Sequence, residues 1–110
     1  MTFMTYRYMR VLVLFDLPTY TKQNRREATR FRNFLLNDGY DMLQYSVYSR
    51  LCPNRDNADV HLTRCRKAAP DTGSIRFLLV TENQYANMKV LVGEKTAQEQ
   101  ASRCEQLSFF

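Results

Sequence analysis

The stretch from Met9 to Phe15, MRVLVLF, followed by Asp16-Leu17-Pro18, constrains this chain more than any other segment. Its β-branched and aromatic content predicts a strand. Side chains alternate across a strand, so Val11, Val13 and Phe15 share one face, while Leu12, Leu14 and Asp16 share the other. Both faces are apolar until Asp16, which predicts a central strand covered on both sides. Pro18 cannot donate to a ladder and stops it. The segment therefore brings one carboxylate to the rim of a sheet.

The remaining elements follow from periodicity and turn residues. Residues 24–37 read as a helix, with Ala28, Phe31 and Leu35 as its inward stripe, flanked by Phe34. Asn24 and Glu27 have capping-box spacing, with Thr21 as a competing cap. Asp38-Gly39 ends the helix, the glycine suiting a left-handed position. Residues 42–52 are extended, as one bent strand or two short ones, with Tyr45, Val47 and Leu51 on one face and Gln44, Ser46, Tyr48 and Arg50 on the other. Pro53-Asn54 breaks that run. Residues 57–69 form a shorter helix with Ala58, Leu62, Cys65 and Ala69 on one side, closed by Pro70 and the turn at Asp71-Thr72-Gly73. Strands are expected at 75–81 and 88–92, joined by a polar turn over 82–86.

This order predicts an α+β, ferredoxin-like domain over residues 1–93: an antiparallel sheet of four to five strands with two helices on one face. The other sheet face is apolar and needs a cover, which predicts a homodimer through the sheet side. Residues 94–110 are polar and aperiodic up to a terminal Leu-Ser-Phe-Phe, and read as a flexible or partner-bound tail. The 110 residues suffice for one domain, not two. Fourteen Tyr and Phe together, with no Trp and three Gly, fit a sheet protein better than a loop-rich scaffold.

The formal charge of +5, from 16 Lys and Arg against 11 Asp and Glu, favours polyanionic partners, nucleic acid before an anionic membrane surface. The longest apolar run is far too short to span a bilayer, and no signal-peptide pattern opens the chain. Three widely spaced cysteines, Cys52, Cys65 and Cys104, contain no C-x-x-C, so neither a zinc ribbon nor a redox motif is supported. Free thiols suggest a reducing compartment, and a cytoplasmic location is expected. Phosphate-binding glycine loops and a catalytic serine elbow are absent from the sequence, which removes nucleoside triphosphatases and hydrolases of that type.

Four constellations could carry chemistry. Asp16, held by a rigid strand, suits a hard cation such as Mg²⁺, which takes one or two carboxylates plus water and phosphate oxygens. On strand pattern alone it reads as a loop-starting carboxylate that accepts backbone N–H bonds. Lys22, Arg25, Arg26, Arg30 and Arg32 crowd one helix with a single acid, Glu27, among them. Such arginines can follow a phosphate backbone, or form an ordinary solvated face. His61 and Cys65 have i,i+4 ligand spacing, with Cys52 as a third candidate, yet no fourth ligand is apparent and buried core cysteines are the better reading. Tyr6, Tyr8, Tyr45 and Tyr48 could stack on bases. Core or dimer-interface packing is preferred for them, because Tyr45 shares a face with Val47 and Leu51.

In order along the chain, YRYMRVLVLFDLPT, the arginine-rich helix closing at NDGY, QYSVYSRL and SIRFLLVTENQYANMKVLVG resemble the small CRISPR-associated adaptation protein family. This is the ferredoxin-like endoribonuclease and integrase-partner family, and the likeness is closest to members from single-effector (type II) systems. It covers about residues 6–93. The resemblance implies a homodimer in which Asp16 of each subunit lies at the interface and binds Mg²⁺. It implies a role in spacer acquisition, bridging CRISPR integrase dimers on a protospacer fragment of DNA, with no membrane involved. It further implies metal-dependent endonuclease activity on RNA or DNA, with Asp16 catalytic and Ser46 supplying a hydroxyl nearby. The family often carries a tyrosine before the aspartate, where this chain has Phe15. A toxin-like metal-dependent messenger-RNA endoribonuclease of related fold is the alternative.

Overall fold

A computed structural model of the protein describes residues 8–93. Elements run in the order β1 (Met9–Asp16), α1 (Lys22–Asn37), β2 (Asp41–Gln44), β3 (Val47–Cys52), α2 (Arg55–Ala68), β4 (Ser74–Thr81) and α3 (Glu82–Ala86). The strands form one sheet in the order β2-β3-β1-β4, with every neighbouring pair antiparallel. This is the predicted α+β, ferredoxin-like arrangement. Among the described residues no helix is long and apolar enough to cross a membrane.

As its sequence requires, β1 is central. Val11 and Val13 are fully buried and Phe15 nearly so, and they form the core with Phe31 and Leu35 of α1, Tyr48 and Cys52 of β3, and Ala58 and Cys65 of α2. The Phe15 ring meets Phe31 edge-on at 5.3 Å and lies 5.7 Å from Tyr48. Aromatic pairs at such distances add favourable quadrupole contact to area burial. The opposite face is covered at one end only. There Arg10 is buried beneath α3, while Leu12 and Leu14 are half-buried and Leu78 and Leu51 are exposed.

Helix α1 begins earlier than residue 24, because Thr21 is the N-cap. Its Oγ1 accepts from the Asn24 N–H at 3.0 Å, and Asn24 Oδ1 accepts from the Thr21 N–H at 3.3 Å. Thr21 is extended and its partner is Asn24, so the box is Thr21/Asn24 rather than Asn24/Glu27. At the other end Gly39 takes φ +93°, and the Tyr40 N–H reaches back to the Leu35 carbonyl at 3.0 Å. That closes a Schellman-type terminus at the residue expected to supply it.

The extended run 42–52 resolves into β2 and β3 with a register irregularity between Met42 and Gln44. Tyr48 faces the core, while Tyr45 stands in the turn at 69% exposure, so Tyr45 does not pack in the core of the chain. Residues 82–86 form α3 instead of a turn. Thr81 Oγ1 accepts from the Gln84 N–H and Gln84 Oε1 accepts from the Thr81 N–H, a reciprocal cap that starts a helix. Residues 88–92 are irregular rather than a strand, which leaves four strands in the sheet among the described residues. Tyr6, Cys104 and the predicted tail at 94–110 lie outside the described residues.

Candidate functional site

Asp16 is exposed, as the strand-end position predicts. It is paired with Ser74 in the β1–β4 register, and on the other side the Phe15 N–H donates to the Ser46 carbonyl at 3.0 Å. Its backbone is further confined by Gly73, at φ +94°. A Cβ there would stand 2.8 Å from the Asp16 carbonyl oxygen and 2.8 Å from Leu17 Cδ2. The loop after β1 thus fits against a glycine that no other residue replaces without displacement.

The Asp16 carboxylate makes no hydrogen bond or ion pair among the described residues, so it is not the loop cap that its position alone suggests. The residue is exposed at the strand end. No cluster of three or more His, Cys, Asp or Glu side chains able to hold a metal occurs among the described residues. Among the described residues Asp16 therefore belongs to no three-ligand cluster. It fits Mg²⁺ only if water, phosphate or a second carboxylate completes the donor set. Ser46 is half-buried at the same rim, adjoining Phe15 through its carbonyl.

Four of the five predicted basic residues come together. Lys22, Arg25, Arg26 and Arg30, with Thr29 and Asn33, line an open depression of about 550 Å³ along α1. The first turn contains no acid. Arg25 Nη1 donates to the Thr19 carbonyl at 3.2 Å, which ties the loop after β1 to this face. Arg32 lies apart. Its guanidinium carbon sits 4.1 Å from the Tyr45 ring centroid and 5.4 Å from that of Phe15.

His61 is buried, but its partner is Asp38: Nδ1 donates to Oδ2 at 2.7 Å, and Arg64 donates to Oδ1 at 2.9 Å. This ties the end of α1 to α2. Cys52 and Cys65 are buried free thiols. Burial, reinforced by the nearby Asp38 charge, pushes the Cys65 thiol up to about 11, away from the reactive thiolate. Burial also raises Cys52, against the opposing pull of Arg50. These groups are structural, as the sequence favoured.

Sequence reasoning missed three features. Gly73 was read as a turn residue with no link to Asp16. Arg10 was not singled out, although it donates to both Glu82 oxygens at 3.0 and 2.7 Å and stacks on Tyr85 at 4.3 Å. The Thr81-x-x-Gln84 box was the signal for α3 and hence for Glu82. The Arg32–Tyr45 pair had no sequence signal, since thirteen positions and a helix–strand connection separate the two.

Comparison with known proteins places the chain in a family. Residues 9–88 match the family model described as CRISPR associated protein Cas2. A protein named CRISPR-associated endoribonuclease Cas2 from Acidovorax ebreus (strain TPSY) is 50% identical over 102 residues, covering 93% of this chain and 100% of that protein. A protein of the same name from Parvibaculum lavamentivorans is 49% identical over 87 residues, 79% of this chain and 86% of the other. A solved structure described as "Crystal structure of cas2" superposes with a TM-score of 0.56 at 15% identity, covering 82% of this chain and 92% of that one. At that identity the superposition speaks to fold alone.

Proposed function

Because this chain belongs to the CRISPR-associated protein Cas2 family, we propose that it is a nucleic-acid-cleaving component of CRISPR adaptation. It works as a homodimer in which Asp16 of both copies holds one Mg²⁺ ion. The observation that carries this reading is the exposed, unpaired Asp16 carboxylate on a strand fixed from both sides. Two further observations support it. Curated relatives carry the name endoribonuclease, and one face of the sheet offers Leu12, Leu14 and Leu78 for a second copy to cover.

In this reading β1 and Gly73 keep the Asp16 carboxylate in one place, so little reorganisation is needed when charge develops at phosphorus. The Lys22, Arg25, Arg26 and Arg30 face holds the phosphodiester backbone without reading sequence, since phosphate contacts carry none. Asp16 would hold the Mg²⁺ ion, whose chemistry there would be activation of a water and neutralisation of charge on the departing oxygen. Ser46 orients the rim beside it. The deciding assay is cleavage of single-stranded RNA and double-stranded DNA by the wild-type protein and by Asp16→Ala, with Mg²⁺ and with chelator. Cleavage that needs both Asp16 and Mg²⁺ is expected; equal activity in the two proteins sinks the reading.

One observation favours a second, scaffolding role. Phe15 is buried against Phe31 and Tyr48 and offers no hydroxyl beside Asp16. In that role the dimer bridges CRISPR integrase dimers on a protospacer DNA fragment. A purely structural part in spacer acquisition is refuted if Asp16→Ala abolishes acquisition while the complex still assembles.

A further inference from the structure

Tyr45 is an aromatic side chain at the Asp16 rim that is both exposed and held in place. It is 69% exposed, yet its ring does not hang free, because the Arg32 guanidinium lies 4.1 Å from its centroid. Arg32 is in turn anchored on the buried Phe15 ring at 5.4 Å, and Phe15 immediately precedes Asp16. The adjoining Ser46 carbonyl accepts the Phe15 N–H at 3.0 Å, which fastens the Tyr45-Ser46 turn to the same strand end. Arg32 makes no ion pair among the described residues, and its Nε is buried without a hydrogen-bond partner. Its charge is therefore committed to the rings rather than to a carboxylate. One face of the Tyr45 ring is occupied by a cation, and the ring's ordering cost is already met before any ligand arrives.

We propose that the outer face of the Tyr45 ring is a stacking subsite for one unpaired nucleobase, with Arg32 beneath it as the positioning residue. The proposal rests on the reading of this protein as a nucleic-acid-binding one, but not on Asp16 being catalytic. Every base has a π-face, so such a platform accepts single strands with little regard to sequence. A base paired within a duplex has no free face to offer. The subsite therefore discriminates single-stranded or splayed nucleic acid from intact duplex next to Asp16, whereas the Lys22–Arg30 face accepts either.

The test uses the full-length protein with a single-stranded oligonucleotide carrying 2-aminopurine, whose fluorescence is quenched by stacking, and an unlabelled duplex as competitor. Wild type and Tyr45→Phe are expected to quench the probe alike. Tyr45→Leu is expected to bind the single strand about tenfold more weakly, without quenching, at unchanged duplex affinity. Arg32→Lys keeps the charge but loses the planar fork, and is expected to bind duplex normally while quenching less. Absence of quenching in wild type overturns the proposal, as does an equal loss of single-strand and duplex binding in Tyr45→Leu. A changed oligomeric state of Tyr45→Leu on sedimentation overturns it too, because Tyr45 would then be an interface residue. If Asp16→Ala leaves cleavage untouched while Tyr45→Leu still abolishes quenching, the catalytic reading of Asp16 fails and the subsite stands.

Discussion

A single glycine decides where Asp16 sits. Gly73 adopts φ +94°, and a Cβ there would press on the Asp16 carbonyl and the Leu17 side chain at 2.8 Å. Both the strained backbone and the contact penalise a side chain. Gly73→Ala is therefore expected to lose about 1–3 kcal/mol of stability. It should also lower any Asp16-dependent cleavage more than that loss explains, which comparing cleavage rates well below the melting temperature would reveal. A second residue-scale effect concerns pH. Cys65 rises from its ordinary 9.0 to about 11, and burial raises Cys52 and Tyr40 as well. The folded state holds these protons more tightly than the unfolded chain does, so stability is complete below about pH 9 and falls as pH rises through about 11. Urea midpoints should decline over that range, less steeply for Cys65→Ala than for wild type.

The elements differ in how much of themselves the sequence reveals. Strand β1 and the inward stripe of α1 were legible because their apolar positions repeat at a period the backbone dictates. The end of α1 was legible because only Gly39 suits its terminus. Pairings between distant positions were not: nothing in the order of residues places Arg32 under Tyr45, or Gly73 against Asp16. The irregular run at 88–92 shows the opposite limit, since β-branched content alone does not decide that a segment forms a strand. At this scale α1 yields a test of its basic face. Lys22, Arg25, Arg26 and Arg30 point into one depression and meet no acid in the first turn. Replacing all of them by Ala should weaken duplex and single-strand binding alike. The slope of log affinity against log salt should flatten by about 0.7–0.9 for each phosphate contact removed. An unchanged slope would mean that nucleic acid docks elsewhere.

The whole molecule is a sheet with one face packed and the other partly covered. Helices α1 and α2 close the core side, and α3 covers only the Arg10 end of the other, through the Arg10–Glu82 pair and the Tyr85 ring. Leu12, Leu14 and Leu78 are left half-buried or exposed beyond it. An antiparallel sheet tolerates one solvated face when that face is polar, and this one is not. A second copy of the chain, as proposed above, would cover this face and bring a second Asp16 carboxylate to the first. In the proposed dimer two Asp16 side chains share one ion. Isothermal titration of the full-length protein with Mg²⁺ tests it most directly, with chain stoichiometry fixed by sedimentation of the same sample. One ion bound per two chains is expected in wild type and none in Asp16→Ala. Binding of one ion to every chain, or binding unaffected by Asp16→Ala, would contradict it.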